Sequence, residues 1–153
     1  MSPFSPFERL ARTIRSRVAS ERAMRRMGAD LSSLEPGGAT LSVARRPELV
    51  RPDGAFESRV TAFLLDQGTK IAAATRLSEG QTCLSSGLKF QEIAPAHGDR
   101  LICRARVVRA GRLASVVAAD VVCVSDGRET KTAVAIATVS IVDASALGAV
   151  GHA

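Results

Sequence analysis

Residues 52–77, PDGAFESRVTAFLLDQGTKIAAATRL, constrain the fold more than any other stretch. With Val60, Phe63, Leu64, Leu65, Ile71 and the Ala72-Ala73-Ala74 run, the segment is apolar on almost every side of a helical wheel. It therefore predicts a long helix buried in the domain centre. One carboxylate, Asp66, stands in its middle. A buried, unpaired carboxylate is costly and tends to take up a proton, so either a partner holds Asp66 or chemistry uses it. Lys70, four residues on in the favourable acid-then-base order, offers an ordinary structural ion pair. The residues alone leave both readings open.

A helix of this kind needs a sheet to cover it, and the pattern after Gly80 changes to period two. Leu84, Ser86, Leu88 and Phe90 fall on one face, Cys83, Ser85, Gly87 and Lys89 on the other. Pro95 and Gly98 interrupt the run. Leu101, Cys103, Ala105 and Val107 then oppose Ile102, Arg104, Arg106 and Val108, the two arginines marking the solvent side. Gly111-Arg112 makes a turn, residues 113–124 read as a Val- and Ala-rich strand, and Asp126-Gly127 is a strong hairpin signal returning into 132–142. Upstream, residues 39–44 alternate as a first strand after Gly37-Gly38. The order is helix, strand, long helix, then a four-strand antiparallel meander. It predicts an α+β fold whose antiparallel sheet wraps a long central helix.

Ser5-Pro6-Phe7-Glu8 has the form of a capping box with proline in the first turn, and Gly28 is a helix stop. Phe7, Leu10, Ile14 and Val18 form the apolar stripe between them. The chain thus divides into an N-terminal amphipathic helix packed on the domain (1–30), the domain itself (31–142) and a small, Gly-rich flexible tail (143–153). An Arg-rich, acid-poor start also resembles a transit peptide or a membrane-surface helix, but the capping box and glycine stop favour a packed domain helix.

A length of 153 residues suits one domain, and 46% hydrophobic against 24% charged residues is globular. No apolar run approaches the roughly 18 residues of a spanning helix, so no membrane partner is expected. The net charge of +6 is concentrated in the first 28 residues, where seven arginines face Glu8 and Glu21. With no Tyr or Trp to stack on bases, no nucleic acid partner is expected. Cys83, Cys103 and Cys123, odd in number and without Cys-x-x-Cys spacing, support neither a disulfide framework nor a metal site with His97 and His152. Reduced, buried thiols in a cytoplasmic protein are the expectation.

The order of elements, with particular residues in it, resembles the hot-dog-fold acyl-CoA thioesterases of the phenylacetate-pathway (PaaI-like) and 4-hydroxybenzoyl-CoA type. The matching residues, over roughly 33–142, begin with Pro36-Gly37, Gly54 and Leu64-Leu65-Asp66. Leu88-Lys89-Phe90 with Pro95, Gly98, and Val107 to Arg112 complete them. The resemblance implies that Asp66 is the nucleophile or general base on the thioester. It implies an acyl-CoA substrate, aryl or short to medium in its acyl part, with no cofactor beyond coenzyme A as part of that substrate. It also implies that Arg109, Gly111 and Arg112 lie near the nucleotide, where guanidinium groups grip phosphates. A hairpin tip that is merely solvated is the alternative for those arginines. The family's His-Gly-Gly, whose backbone N–H groups bind the thioester oxygen, is replaced here by Glu57, Ser58 and Arg59, and its Asn or Gln by Arg51. Backbone donors survive that change at Ser58, while the added side chains narrow access and Glu57 brings a negative charge.

Ser58 and Asp66, eight residues apart on one helix, are about 12 Å apart at roughly 1.5 Å per residue. If one supplies the oxyanion hole and the other the base, they come from two chains, and the site lies across the interface of a homodimer or homotetramer. The competing reading is a non-catalytic hot-dog protein that binds an acyl-CoA-like ligand or only assembles, its site closed by a charge cluster of Arg51, Glu57 and Arg59. A hydratase or dehydratase of the same fold needs a histidine beside an acid, and neither His97 nor His152 is expected near the helix start.

Overall fold

A computed structural model describes residues 3–148. Helix α1 (Pro6–Ser20) starts on the expected capping box: Glu8 N–H donates to Ser5 Oγ at 3.1 Å, and Ser5 N–H donates to the Glu8 carboxylate. The helix expected to run on to Gly28 breaks at Glu21, whose extended backbone separates α1 from the short α2 (Arg22–Met27). Gly28 then ends α2 in the left-handed conformation, φ 68°. The next residues hold a strand that the sequence pattern missed, β1 (Ala29–Glu35), which turns through Pro36-Gly37 into β2 (Gly38–Ala44).

The central helix α3 (Ser58–Ala74) follows, then β3 (Gln81–Glu92), β4 (Arg100–Ala110), β5 (Ala114–Ser125), β6 (Arg128–Asp143) and a short α4 (Ala144–Gly148). The expected tail is helical over this last piece, and residues 149–153, His152 among them, lie outside the described residues. All strand pairs are antiparallel in one six-stranded sheet ordered β1-β2-β4-β5-β6-β3. Asp126 (φ 50°) and Gly127 (φ 75°) make the tight β5–β6 turn, both with the positive φ that such a turn needs.

The sheet curls round α3. Val60, Leu64, Leu65, Ala72 and Ala73 of the helix meet Leu41, Val43, Leu101, Cys103, Val117, Val121 and Val139 of the strands in one buried core. Small residues set the distance between the layers: a Cβ on Gly68 would stand 2.9 Å from Cys103 Sγ. Gly68, Ala72 and Ala73 thus bring helix and sheet into contact and leave no ligand space there. Burial pushes the Cys103 thiol up to about 12 and raises that of Cys123. The three cysteines are free.

Gly98 is needed for close approach as well. A Cβ there would lie 2.4 Å from the Val124 carbonyl oxygen and 2.7 Å from Cys123 Sγ. Gly98→Ala is expected to cost about 2 kcal/mol, the range of core overpacking, seen as a lower urea midpoint with unchanged slope.

Candidate active site on the open face of the central helix

Helix α3 is not buried all round. Val60, Leu64, Leu65, Ile71, Ala72 and Ala73 face the sheet, while Ala62, Phe63, Asp66, Gln67, Lys70 and Ala74 form a half-exposed stripe on the other side. The expectation of a deeply buried Asp66 is thereby corrected: its side chain is 38% exposed. The apolar count misled because Ala62, Phe63 and Ala74 belong to this open stripe.

The carboxylate has two partners. Lys70 Nζ lies 3.2 Å from Asp66 Oδ2, the pair the spacing predicted, and Ser85 Oγ on β3 donates to Asp66 Oδ1 at 2.9 Å. With Lys70 32% exposed, this is a surface i,i+4 pair, worth about 0.3–0.5 kcal/mol. Such a pair opens at little cost and does not lock the carboxylate away. Lys70→Ala is therefore expected to change stability by less than about 0.5 kcal/mol, read from a denaturation midpoint.

Ser85 escaped the sequence reading because its contact with Asp66 spans 19 residues. A faint signal existed: Ser85-Ser86-Gly87 in a strand pattern marks a bulge. The β3–β6 register does shift between Ser85 and Gly87. The bulge overturns strict alternation. Leu84, opposite Ser140, turns outward at 44% exposure, while Cys83 and Ser85 before the bulge and Leu88 and Phe90 after it share the inner face.

The start of α3 carries no side-chain cap. Glu57 N–H donates to the Leu49 carbonyl (2.9 Å) and Val60 N–H to the Glu57 carbonyl (2.9 Å). The Ser58 and Arg59 N–H groups have no acceptor among the described residues. Two free donors at the positive end of a 17-residue helix suit an anionic oxygen. The Ser58 hydroxyl points elsewhere, donating to Glu92 at the end of β3 at 2.8 Å.

Arg51, Glu57 and Arg59 do not gather into one cluster. Arg51 pairs with Asp53, and Glu57 pairs with Arg59, whose guanidinium also donates to the Glu48 carbonyl at 2.7 Å. Two separate local pairs leave the helix start uncovered. His97 is closer to that start than expected: Phe56 N–H donates to the Ala96 carbonyl at 3.0 Å, and His97 helps to hold the Asp53 carboxyl below its usual range, after the Ala55 N–H and Arg51. His97 is exposed and makes no contact with Asp66.

Arg109, Gly111 and Arg112 lie at the β4–β5 hairpin, at the far end of the sheet from Ser58. That end is fixed by Gly37, whose N–H donates to Thr75 Oγ1 beyond α3 (2.7 Å) and whose carbonyl accepts from Val107 (2.7 Å). Both arginines are exposed, without an ion pair among the described residues. Arg104, by contrast, is committed to Glu129 through two bonds of 3.0 and 2.6 Å. No group of three or more His, Cys, Asp or Glu among the described residues is placed to hold a metal ion. No helix among them is long and apolar enough to cross a membrane.

No protein-family model and no curated protein matches the chain. Solved structures do. A thioesterase family protein from Silicibacter pomeroyi is similar at a TM-score of 0.85 and 28% identity, over 88% of this chain and 98% of that one. The PaaI protein of the Escherichia coli phenylacetic acid degradation operon is similar at 0.78 and 14% identity, over 90% and 96%. A thioesterase from Haemophilus influenzae is similar at 0.74 and 18%, over 83% and 87%.

The chain has the hot-dog fold of the thioesterase superfamily. In this hot-dog protein the sheet supplies the wrapping, α3 the filling, and β3 the long edge that lies beside Asp66. Among the described residues strand β3 pairs only with β6, so the other side of its 12 residues presents a row of backbone groups without strand partners there. The opposite edge, β1, is shorter at 7 residues and is packed by α1 and α2.

Proposed function

We propose that the protein is an acyl-CoA thioesterase whose site forms between two copies of the chain. The observation that carries the reading is the pairing of a reachable carboxylate, Asp66, with an uncapped helix start offering the Ser58 and Arg59 N–H groups. On one helix they are about 12 Å apart, so the two halves of a site come from different protomers. A free β3 edge beside Asp66 supports such a pairing, because a long unpaired edge strand is a template for another chain. The assembly is then a homodimer or a pair of homodimers.

The acyl carbonyl lies between Asp66 of one protomer and the α3 start of the other. Asp66 either attacks the carbonyl carbon or takes a proton from a water that does. The oxygen, as it gains charge, is met by the Ser58 and Arg59 N–H groups and the helix dipole. The carbon–sulfur bond then breaks, and the coenzyme A thiolate leaves and takes up a proton; where Asp66 itself attacked, water next hydrolyses the acyl–Asp66 anhydride, freeing the acid and restoring the carboxylate, and no cofactor is needed. Ser85 orients the carboxylate by its hydrogen bond to Oδ1. Arg59 offsets the negative charge that Glu57 sets beside the oxyanion. Arg109 and Arg112, with Gly111 between them in the turn, are left for the phosphates of the nucleotide. Free thiols at all three cysteines suit a cytoplasmic setting.

A second reading, a hot-dog protein that binds an acyl-CoA without cleaving it, is favoured by the formed Lys70–Asp66 pair. A thiol-release assay over aryl, short- and long-chain acyl-CoAs, run on wild type and Asp66→Asn, separates the two. Turnover that depends on Asp66 supports the enzyme. Thermal stabilisation by acyl-CoA with no thiol release supports the binder.

A further inference from the structure

Residues of α1, α3 and β3 together line a half-open cavity of about 250 Å³. Ile14 and Val18 of α1 form one wall, Ile71 and Ala74 of α3 and Cys83 of β3 the others. Ile14 is buried there, while Val18 is half-buried at the margin. Lys70 lines it as well, and Cys83 Sγ lies 3.7 Å from the Lys70 carbonyl oxygen. Lys70 is one turn beyond Asp66, a rise of about 6 Å. On β3 the same step runs from Ser85, bonded to Asp66, to Cys83 on the same inner face. The cavity therefore begins about one helical turn from the carboxylate. A larger groove of about 740 Å³ lies past the end of α3, among Phe7, Leu10 and Arg76, one helical turn further from Asp66.

The geometry points to this cavity as the seat of the acyl group, with Ile14 and Val18 of α1 as one wall, so that the N-terminal helix sets which acyl groups fit. At about 30 Å³ per water-sized group, the volume takes about eight such groups, a single aromatic ring or an unbranched chain of similar bulk. Six of its eleven lining residues are apolar, which suits a hydrocarbon end, while Arg17, Glu21, Gln67, Lys70 and Thr82 supply the polar remainder. The inference rests on Asp66 acting at the thioester.

The test compares wild type, Val18→Phe, which fills the cavity, and Val18→Ala, which deepens it. Two readouts are taken: kcat/KM over a ladder of acyl-CoAs from acetyl to dodecanoyl with benzoyl, and the Kd of non-hydrolysable S-ethyl and S-octyl thioethers of coenzyme A. Val18→Phe is expected to weaken the octyl thioether at least tenfold while leaving the ethyl compound within twofold. Val18→Ala is expected to move the preferred acyl group to a longer chain. Equal shifts at both lengths, or none in variants that melt like wild type, overturn the inference. If Val18→Phe does not fold, Val18→Ala decides alone. Hydrolysis that needs Asp66 but ignores Val18 sinks the cavity and spares the enzyme. Length-dependent binding that Val18 controls, without hydrolysis by wild type, sinks the enzyme and spares the cavity.

Discussion

Asp66→Asn is expected to lower kcat/KM for thioester hydrolysis by about 10²–10⁴-fold, the usual contribution of a positioned general base, without unfolding the protein. The two side chains have nearly the same shape, and the amide oxygen can still accept the Ser85 hydrogen bond. What disappears is the charge. Losing the Lys70 pair costs a few tenths of a kcal/mol at this exposure, too little to move the melting midpoint by more than a few degrees. A fall in rate therefore reports chemistry and leaves stability aside. Melting curves on the same samples check that separation. A variant that hydrolyses acyl-CoAs at more than a tenth of the wild-type rate would leave Asp66 as a surface ion-pair partner of Lys70 and nothing more.

Leu64→Ala is expected to cost about 3–4 kcal/mol, the largest loss from any single truncation considered. Leu64 is 0% exposed on the sheet side of α3 and belongs to the same buried cluster as Leu41, Leu101 and Val117. The neighbouring strands are tied into a continuous hydrogen-bonded ladder and cannot collapse into the space left behind, so the cavity term adds to the transfer term. For a domain of this size the melting midpoint falls by about 10 °C, measurable by calorimetry. A drop of only one or two degrees would mean that α3 is not the centre of the core.

How far the sequence reaches is clear from individual elements. The central helix was legible because Val60 to Ala74 contains no proline and only one glycine, Gly68, and carries an apolar face of about four turns. The β5–β6 hairpin was legible because Asp126-Gly127 supplies both positive φ values. Strand β1 was not: as an edge strand it buries little, and its Asp30, Ser32 and Ser33 do not alternate cleanly with Leu31 and Leu34. The break at Glu21 carries no proline or glycine, so the apolar stripe read straight through it.

For the site, the place of Asp66 and its pairing with Lys70 followed from helical spacing alone. Its exposure did not, because composition cannot say which apolar residues of a helix face a sheet; Phe63 and Leu64 are adjacent and differ only in direction. Ser85 and the cavity under α1 depend on contacts across the fold, 19 residues in one case and the whole N-terminal helix in the other. Local pattern hints at the bulge through Ser85-Ser86-Gly87 but does not name the partner across the fold.

In the proposed mechanism one protomer supplies the carboxylate and another the oxyanion donors. Ser58→Pro removes the first free N–H of α3 at a position where proline is tolerated, and Glu57 already has the extended backbone, ψ 144°, that a residue before proline requires. Ser58→Pro and Asp66→Asn are each expected to be inactive. Co-expressed, they form mixed pairs in which one site carries both lesions and the other carries neither, so about a quarter of wild-type hydrolysis returns. A co-expressed sample as inactive as its two parents, with mixed pairs shown to be present, would contradict a site shared between chains.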